Sequence, residues 1–278
     1  MYKIFLHLII FIFFFVGTWQ LLGKINYIGF FQIEKLTNES EKKLGDIILD
    51  SVRKDNREFN SDSVDAYVEN IKQKLCKANN FPDSSITIYI FESDNVNAFA
   101  LPNGQLVIYT GLIDYCETPE ELCGVIAHEM AHIEHHDIMK KLTREVGISM
   151  LLTLAGGASS GGIGKEVVKI ISSTAFDREQ ESEADKSAVK YMSKAGVDPE
   201  NLANLLFRLS REKNDIPKQF EWLSNHPNSK NRASEILILR KNENHHFEKV
   251  LSEKSWLAIK KIVDESLNKG RNHSHHDK

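Results

Sequence analysis

Five consecutive residues, His128-Glu129-Met130-Ala131-His132, constrain this chain more than any other stretch. Residues four apart share one face of an α-helix, so the two imidazoles aim at one point if this segment is helical, with Glu129 beside that point. Two imidazoles one turn apart with an adjacent carboxylate form the donor set of a catalytic zinc site, in which Glu129 acts as the base on a water molecule. The flanking residues support the helix. Thr118-Pro119-Glu120-Glu121 supplies an N-cap, a proline at the first helical position and a capping-box glutamate, and a helix is expected from about Pro119 to Leu142. At about 100° per residue, Leu122, Val125, Ile126 and Ile133 form an apolar stripe and Gly124, Ala127 and Ala131 a stripe of small residues, with the histidines between them. Such a helix is mostly buried. Glu129, on the edge of the apolar stripe, is then a costly ionised group unless the site uses it.

Catalytic zinc takes three protein ligands and keeps a fourth position open, so another donor must come from elsewhere in the chain. The segment from Asp177 to Asp185 offers several carboxylates. On a helix, Glu179 and Glu183 share a face with Lys186 and Lys190, the arrangement of an ion-paired surface. Glu181 lies on the other side with Ala184, Asp185, Ala188 and Met192, a face small and apolar enough to pack against a second helix, and it is the expected third ligand. Asp185, one turn later, can accept a hydrogen bond from a ligating imidazole and fix its tautomer; taken alone it reads as a helix-surface or capping residue. His135 and His136 read as structural or solvent-facing, because a helix carries its next turn away from a tetrahedral ion.

The rest of the chain sets the frame. With 278 residues and 41% hydrophobic content there is material for one substantial domain plus appendages, and a net charge of −4 leaves no electrostatic footprint for nucleic acid. Ile4 to Leu22 is almost continuously apolar between Lys3 and Lys24, which suits one membrane span. A cleaved signal peptide is the competing reading, but Val16-Gly17-Thr18 is a poor cleavage site and favours an uncleaved anchor. Either way the remainder is expected outside a bacterial cytoplasm, anchored to the inner membrane or released into the periplasm. Three cysteines are too few for a disulfide scaffold, and Cys123 falls on the side of its helix away from the histidines, as a small core residue.

The expected organisation is an anchor or signal segment over 1–23, a charged juxtamembrane helix over 24–60, the zinc domain over 61–241, and a last amphipathic helix with a polar tail over 242–278. Within the domain, residues 62–80 read as an amphipathic helix and Ile86 to Phe91 as a strand. Pro102-Asn103-Gly104 turns between two β-prone runs and predicts a hairpin. Val146 to Ala155 is apolar but too short to span a bilayer, and it breaks into the glycine-rich run 156–162. That region reads either as a hinged lid or membrane-dipping flap over the cleft, or as a buried helix followed by a loop. The fold class is α+β, mainly helical, with a small antiparallel sheet.

The paired motifs, H-E-M-A-H and downstream E-S-E-A-D, resemble those of the membrane-associated gluzincin metallopeptidases, a family that includes HtpX-like heat-shock proteases, CAAX prenyl endoproteases and periplasmic proteases of outer-membrane quality control. The resemblance covers roughly residues 60 to 240. It implies a zincin-type fold in which His128, His132 and Glu181 hold one zinc ion per chain, Glu129 is the general base and Asp185 supports a ligand. The implied substrates are polypeptides, misfolded or membrane-associated. Asn97-Ala98-Phe99 resembles the start of the family's strand and hairpin before the active-site helix, which implies a surface where an extended peptide is held by main-chain hydrogen bonds. His226-Pro227 with Arg232 resembles the family's late H-P-x(4)-R element. There His226 is placed to donate to a developing oxyanion or to approach the zinc in a resting state, and Arg232 to anchor the loop or the substrate. The reading from another class is a chaperone or scaffold that binds unfolded chains at the hairpin edge and hydrolyses little.

Overall fold

The computed structural model describes residues 38–156, 161–211, 220–243 and 246–274, with four isolated positions before residue 38. Apart from those four positions, the expected span from Ile4 to Leu22 lies outside the described residues, as do 157–160 and the end of the polar tail. Among the described residues, no helix is long and apolar enough to cross a membrane.

Three strands organise the molecule: β1 (Thr87–Phe91), β2 (Ala98–Leu101) and β3 (Gln105–Tyr109), in the order β1-β3-β2. β2 and β3 form the antiparallel hairpin, turned by Asn103 and Gly104, both at positive φ (62° and 68°). Gly104 is required there, because a Cβ would lie 2.0 Å from the Ser85 carbonyl oxygen. β1 joins β3 in parallel, so the sheet is mixed where an antiparallel one was expected. The reason is the connection between β1 and β2, which carries the chain past the position of β3 before the hairpin folds back.

Side chains alternate across the sheet and feed two cores. Ile90, Ala98, Leu106 and Ile108 point into the larger one. It is built from α2 (Asp62–Asn79), α4 (Pro119–Glu134), α8 (Arg178–Lys194), α9 (Glu200–Arg211), α11 (Ser229–Arg240) and α12 (Glu253–Ser274), with α3 (Thr110–Tyr115) joining the sheet to α4. Phe91, Phe99, Leu101, Val107 and Tyr109 point into the smaller core. Its helices are α1 (Asn38–Asp55), α5 (Asp137–Glu145), α6 (Ile148–Ala155) and α7 (Gly161–Ser173). α1 buries Leu44, Ile48, Leu49 and Val52 there, so this charged segment is packed onto the domain. α6 turns Leu151 and Leu154 inward and leaves Met150 and Leu152 exposed.

The helix expected to run to Leu142 ends at Glu134. His136 takes a left-handed conformation (φ 55°) and the chain restarts as α5 at Asp137. The apolar periodicity continues through Ile138, Met139 and Leu142, which hides the break. Its consequence is to bring Asp137 back toward the site.

Candidate metal centre

α4 presents His128 and His132 on one face, and α8, packed along it, presents Glu181 and Asp185; all four are buried. Thr118 caps α4 by accepting from the Glu121 amide, and Asp177 with Gln180 forms the capping box of α8, so both helix starts are fixed by local sequence. His128 Nε2 lies 3.1 Å from His132 Nε2 and 3.2 Å from His226 Nδ1. Glu181 Oε1 lies 2.8 Å from His226 Nδ1 and 3.5 Å from His132 Nε2. A tetrahedral zinc site with bonds of about 2.0 Å separates its ligand atoms by roughly 3.3 Å, the spacing found here. Charge also fits. Four buried carboxylates, Glu129, Asp137, Glu181 and Asp185, surround the imidazoles, an acidic setting that suits a divalent cation.

Each motif imidazole is held from behind. His128 Nδ1 is 3.1 Å from Asp185 Oδ1, and His132 Nδ1 is 3.0 Å from Asp137 Oδ2, which turns both Nε2 atoms toward the centre. Asp137 has no signal in the helix pattern; it emerges only from the break at His136. Arg232 grips Asp185 with Nε and Nη2, each 2.7 Å from a carboxylate oxygen, and also contacts Glu181 Oε2. Only 4% exposed, Arg232 has its guanidinium engaged by these acidic groups and by the His226 carbonyl, 3.4 Å away, so in this structure it ties the loop carrying His226 to α8.

Burial acts on Glu181, Asp185, His226, His128 and His132, and the partners decide the outcome. For Glu181 burial is overcome by the Arg232 guanidinium and His226, which hold its carboxyl well below the usual range, and Arg232 takes Asp185 down to about 2. Burial pushes His226 down to about 4 and also lowers His128. For His132 burial is outweighed by Asp137 and Glu181, which raise it to about 9.

Glu129 stands beside the group with both oxygens engaged: Oε2 accepts from the Ala100 amide of β2 (3.2 Å) and Oε1 from the indole Nε1–H of Trp222 (3.1 Å). Trp222 belongs to the short helix α10 (Glu221–Asn225) and was not singled out from the sequence, where only its spacing of four from His226 relates it to the site. β2 is an edge of the sheet, and its main chain abuts Glu129. The side chains of Asn97, Ala98 and Phe99 are buried, with Asn97 donating to Glu221 Oε2 (3.1 Å) and Phe99 edge-on to Tyr109, so what this edge can offer a peptide is main chain. His226 follows α10 and lies inside the donor group, and Phe176 stacks on His132 (4.0 Å, 11°). His135 meets Ser187 Oγ (3.2 Å), His136 makes the helix break, and Cys123 sits in the larger core; none joins the centre.

Two histidines and a glutamate converging from two packed helices, with a second glutamate next to them under a sheet edge, are the arrangement of the zincin-type metallopeptidases. The sequence matches the model of Peptidase family M48 over residues 62–239, and the chain belongs to that family. Among its relatives, the mitochondrial metalloendopeptidase OMA1 of Schizosaccharomyces pombe is 28% identical over 61% of this chain and 51% of its own length. The beta-barrel assembly-enhancing protease of Yersinia pestis is 26% identical over 72% of this chain and 44% of its own. Metalloprotease LoiP of Escherichia coli is 30% identical over 57% and 64%. The chain thus spans about half the length of the curated relatives it matches.

Proposed function

We propose that this chain is a zinc-dependent metalloendopeptidase. The observation that carries the reading is the convergence of His128, His132 and Glu181, with His132 Nε2 3.1 Å from His128 Nε2 and 3.5 Å from Glu181 Oε1, beside the Glu129 carboxylate. A zinc ion held by these residues would supply Lewis acidity for the scissile carbonyl and acidify a water molecule. The chain's own residues do the remainder. Glu129 takes a proton from that water at its carboxylate and passes it to the leaving amine. The edge of β2 holds an extended peptide by main-chain hydrogen bonds, largely independent of its sequence. Asp185 and Asp137 keep the imidazoles in the ligating tautomer. His226, whose ring lies inside the donor group, would either approach the zinc in a resting state or donate to the developing oxyanion.

The substrates are misfolded or membrane-associated polypeptides, a reading supported by the beta-barrel assembly-enhancing proteases among the relatives. The apolar stretch from Ile4 to Leu22 anchors the chain, with the catalytic domain outside the bacterial cytoplasm. Cleavage of that stretch as a signal peptide gives the periplasmic alternative.

Casein hydrolysis by zinc-loaded wild type and Glu129→Gln tests the base: a loss of roughly a thousandfold is expected, and equal rates remove Glu129 from the mechanism. Metal analysis tests the ligand set: about one zinc per wild-type chain is expected, and a full equivalent retained by Glu181→Ala contradicts the assignment. The complete burial of the centre beneath His226 and Phe176 favours one other reading, a chaperone or scaffold using the hairpin edge. Undiminished binding of unfolded casein without cleavage by the zinc-loaded wild type selects it.

A further inference from the structure

We propose that Trp222 is a positioning residue for the base, orienting the Glu129 carboxylate through its indole N–H; this rests on the reading of Glu129 given above. Trp222 is fully buried, and an indole N–H can only donate, so it must find an acceptor inside the protein. The contrast with Trp256 is instructive. That indole, also buried, donates to a main-chain carbonyl, Glu117 O, at 2.9 Å, as a core tryptophan ordinarily does. Trp222 instead donates to Glu129 Oε1 at 3.1 Å.

The bond has a specific geometric consequence. The terminal torsion of a glutamate is broad and roughly two-fold, so a carboxylate held by one donor can still swing. Glu129 accepts from two donors on different oxygens, the Ala100 amide on Oε2 (3.2 Å) and the Trp222 indole on Oε1 (3.1 Å), with His226 Nε2 farther from Oε1 at 3.4 Å; the two shorter bonds fix the plane of the group. Both donors belong to one supported unit. The Trp222 amide donates to Val96 O (3.2 Å), and the adjacent Glu221 carboxylate accepts from Asn95 Nδ2 and Asn97 Nδ2, each at 3.1 Å. α10 is therefore pinned to the loop that leads into β2, the strand that carries Ala100. The indole also packs against His226 (centroids 4.9 Å) and edge-on to His128 (5.9 Å), so its ring is registered to the ligands as well as to the base.

Trp222→Phe keeps an aromatic ring and deletes the donor. It is expected to lower kcat on casein about tenfold, the loss of one hydrogen bond to a charged group, with a smaller change in KM because the retained ring still packs against His226. A second measurement needs neither activity nor a substitution at Trp222. In the full chain labelled with ¹⁵N at its three indoles, Glu129→Gln is expected to shift the Trp222 Nε1–H resonance upfield and speed its exchange, while that of Trp256 stays in place. An unmoved Trp222 resonance overturns the proposal, as does a folded Trp222→Phe enzyme with full or raised kcat. If Trp222→Phe does not fold, the resonance decides alone. If the wild type cleaves nothing, the metallopeptidase reading fails separately, and the indole–carboxylate bond is still read out by the shift.

Discussion

The two walls of the centre are built from different kinds of bond. On one wall, α4, α5, α8 and α11 fix the ligands through charged groups: Arg232 on Asp185, Asp137 on His132, and Lys140 Nζ (3.0 Å) with Gln180 Nε2 (3.1 Å) on Asp137. On the other wall, α7 and Phe176 close over the donor group through neutral contacts, while α10 adds to these the bonds of Trp222 to the Glu129 carboxylate and of Asn95 and Asn97 to the Glu221 carboxylate. The Phe176 amide donates to Asn225 O (3.2 Å), Asn225 Nδ2 donates to Ser172 O, and aromatic rings lie on His132 and His226. Charge-assisted hydrogen bonds are roughly twice as strong as neutral ones, so the first wall is a preorganised frame, and α7 with Phe176 is the more weakly held cover. Lys141 crosses between them. It belongs to α5, yet its ammonium donates to Ile171 O at the end of α7 (2.9 Å) and sits over the Phe176 ring (4.2 Å).

The largest effect belongs to the frame. Arg232→Met leaves Asp185 and Glu181 buried without their main counter-charge, and is expected to destabilise the fold by about 3–5 kcal/mol, read by denaturant unfolding of the metal-free protein. An unchanged midpoint breaks the distinction between the walls. Lys141 comes next. Burial pushes its ammonium down to about 8 from 10.5, so between those values the unfolded chain binds the extra proton and stability rises with pH. Lys141→Met removes that gain; the stability of wild type relative to the variant is expected to increase from pH 8 to 10.5, by at most about 3 kcal/mol. A flat difference would mean the ammonium is not desolvated between the walls. Asp137→Asn is smaller, an expected loss of roughly 10–100-fold in zinc affinity by competition with a chromogenic chelator, and unaltered affinity would detach Asp137 from the frame.

The frame is more legible in the sequence than the cover, for a physical reason. His128, His132, Glu181 and Asp185 lie on helices whose faces are sorted by a period of about 3.6 residues, so their convergence follows once two helices pack. Asp137 escapes that logic because the apolar repeat of Ile138, Met139 and Leu142 runs on across a break set by one left-handed residue. Arg232 is visible as a residue, but its direction is set by the buried acids it neutralises. In the sheet, Pro102-Asn103-Gly104 announces the hairpin, whereas the alternation of β1 reads the same for parallel and antiparallel pairing. The cover has no periodic code: Trp222 meets Glu129 across 93 positions of chain, and Phe176 reaches His132 from a connection between helices.

The smallest expected effect is the one that bears most directly on the cover. The Asn225 side chain donates to Ser172 O in the last turn of α7, tying that helix to the segment that carries His226. Asn225→Ala removes one neutral bond, worth about 1 kcal/mol. If the cover opens independently of the frame, that loss appears in the local equilibrium and not the global one. Amide exchange at Phe176 and His226 should then rise about fivefold while the unfolding midpoint scarcely moves. Entry of the peptide should become easier by a similar factor, so kcat/KM on casein is expected to rise, in contrast to every substitution in the frame. Exchange at these two amides that stays constant while the midpoint falls would show that the two walls unfold together, and the cover would then have to be counted as part of the frame.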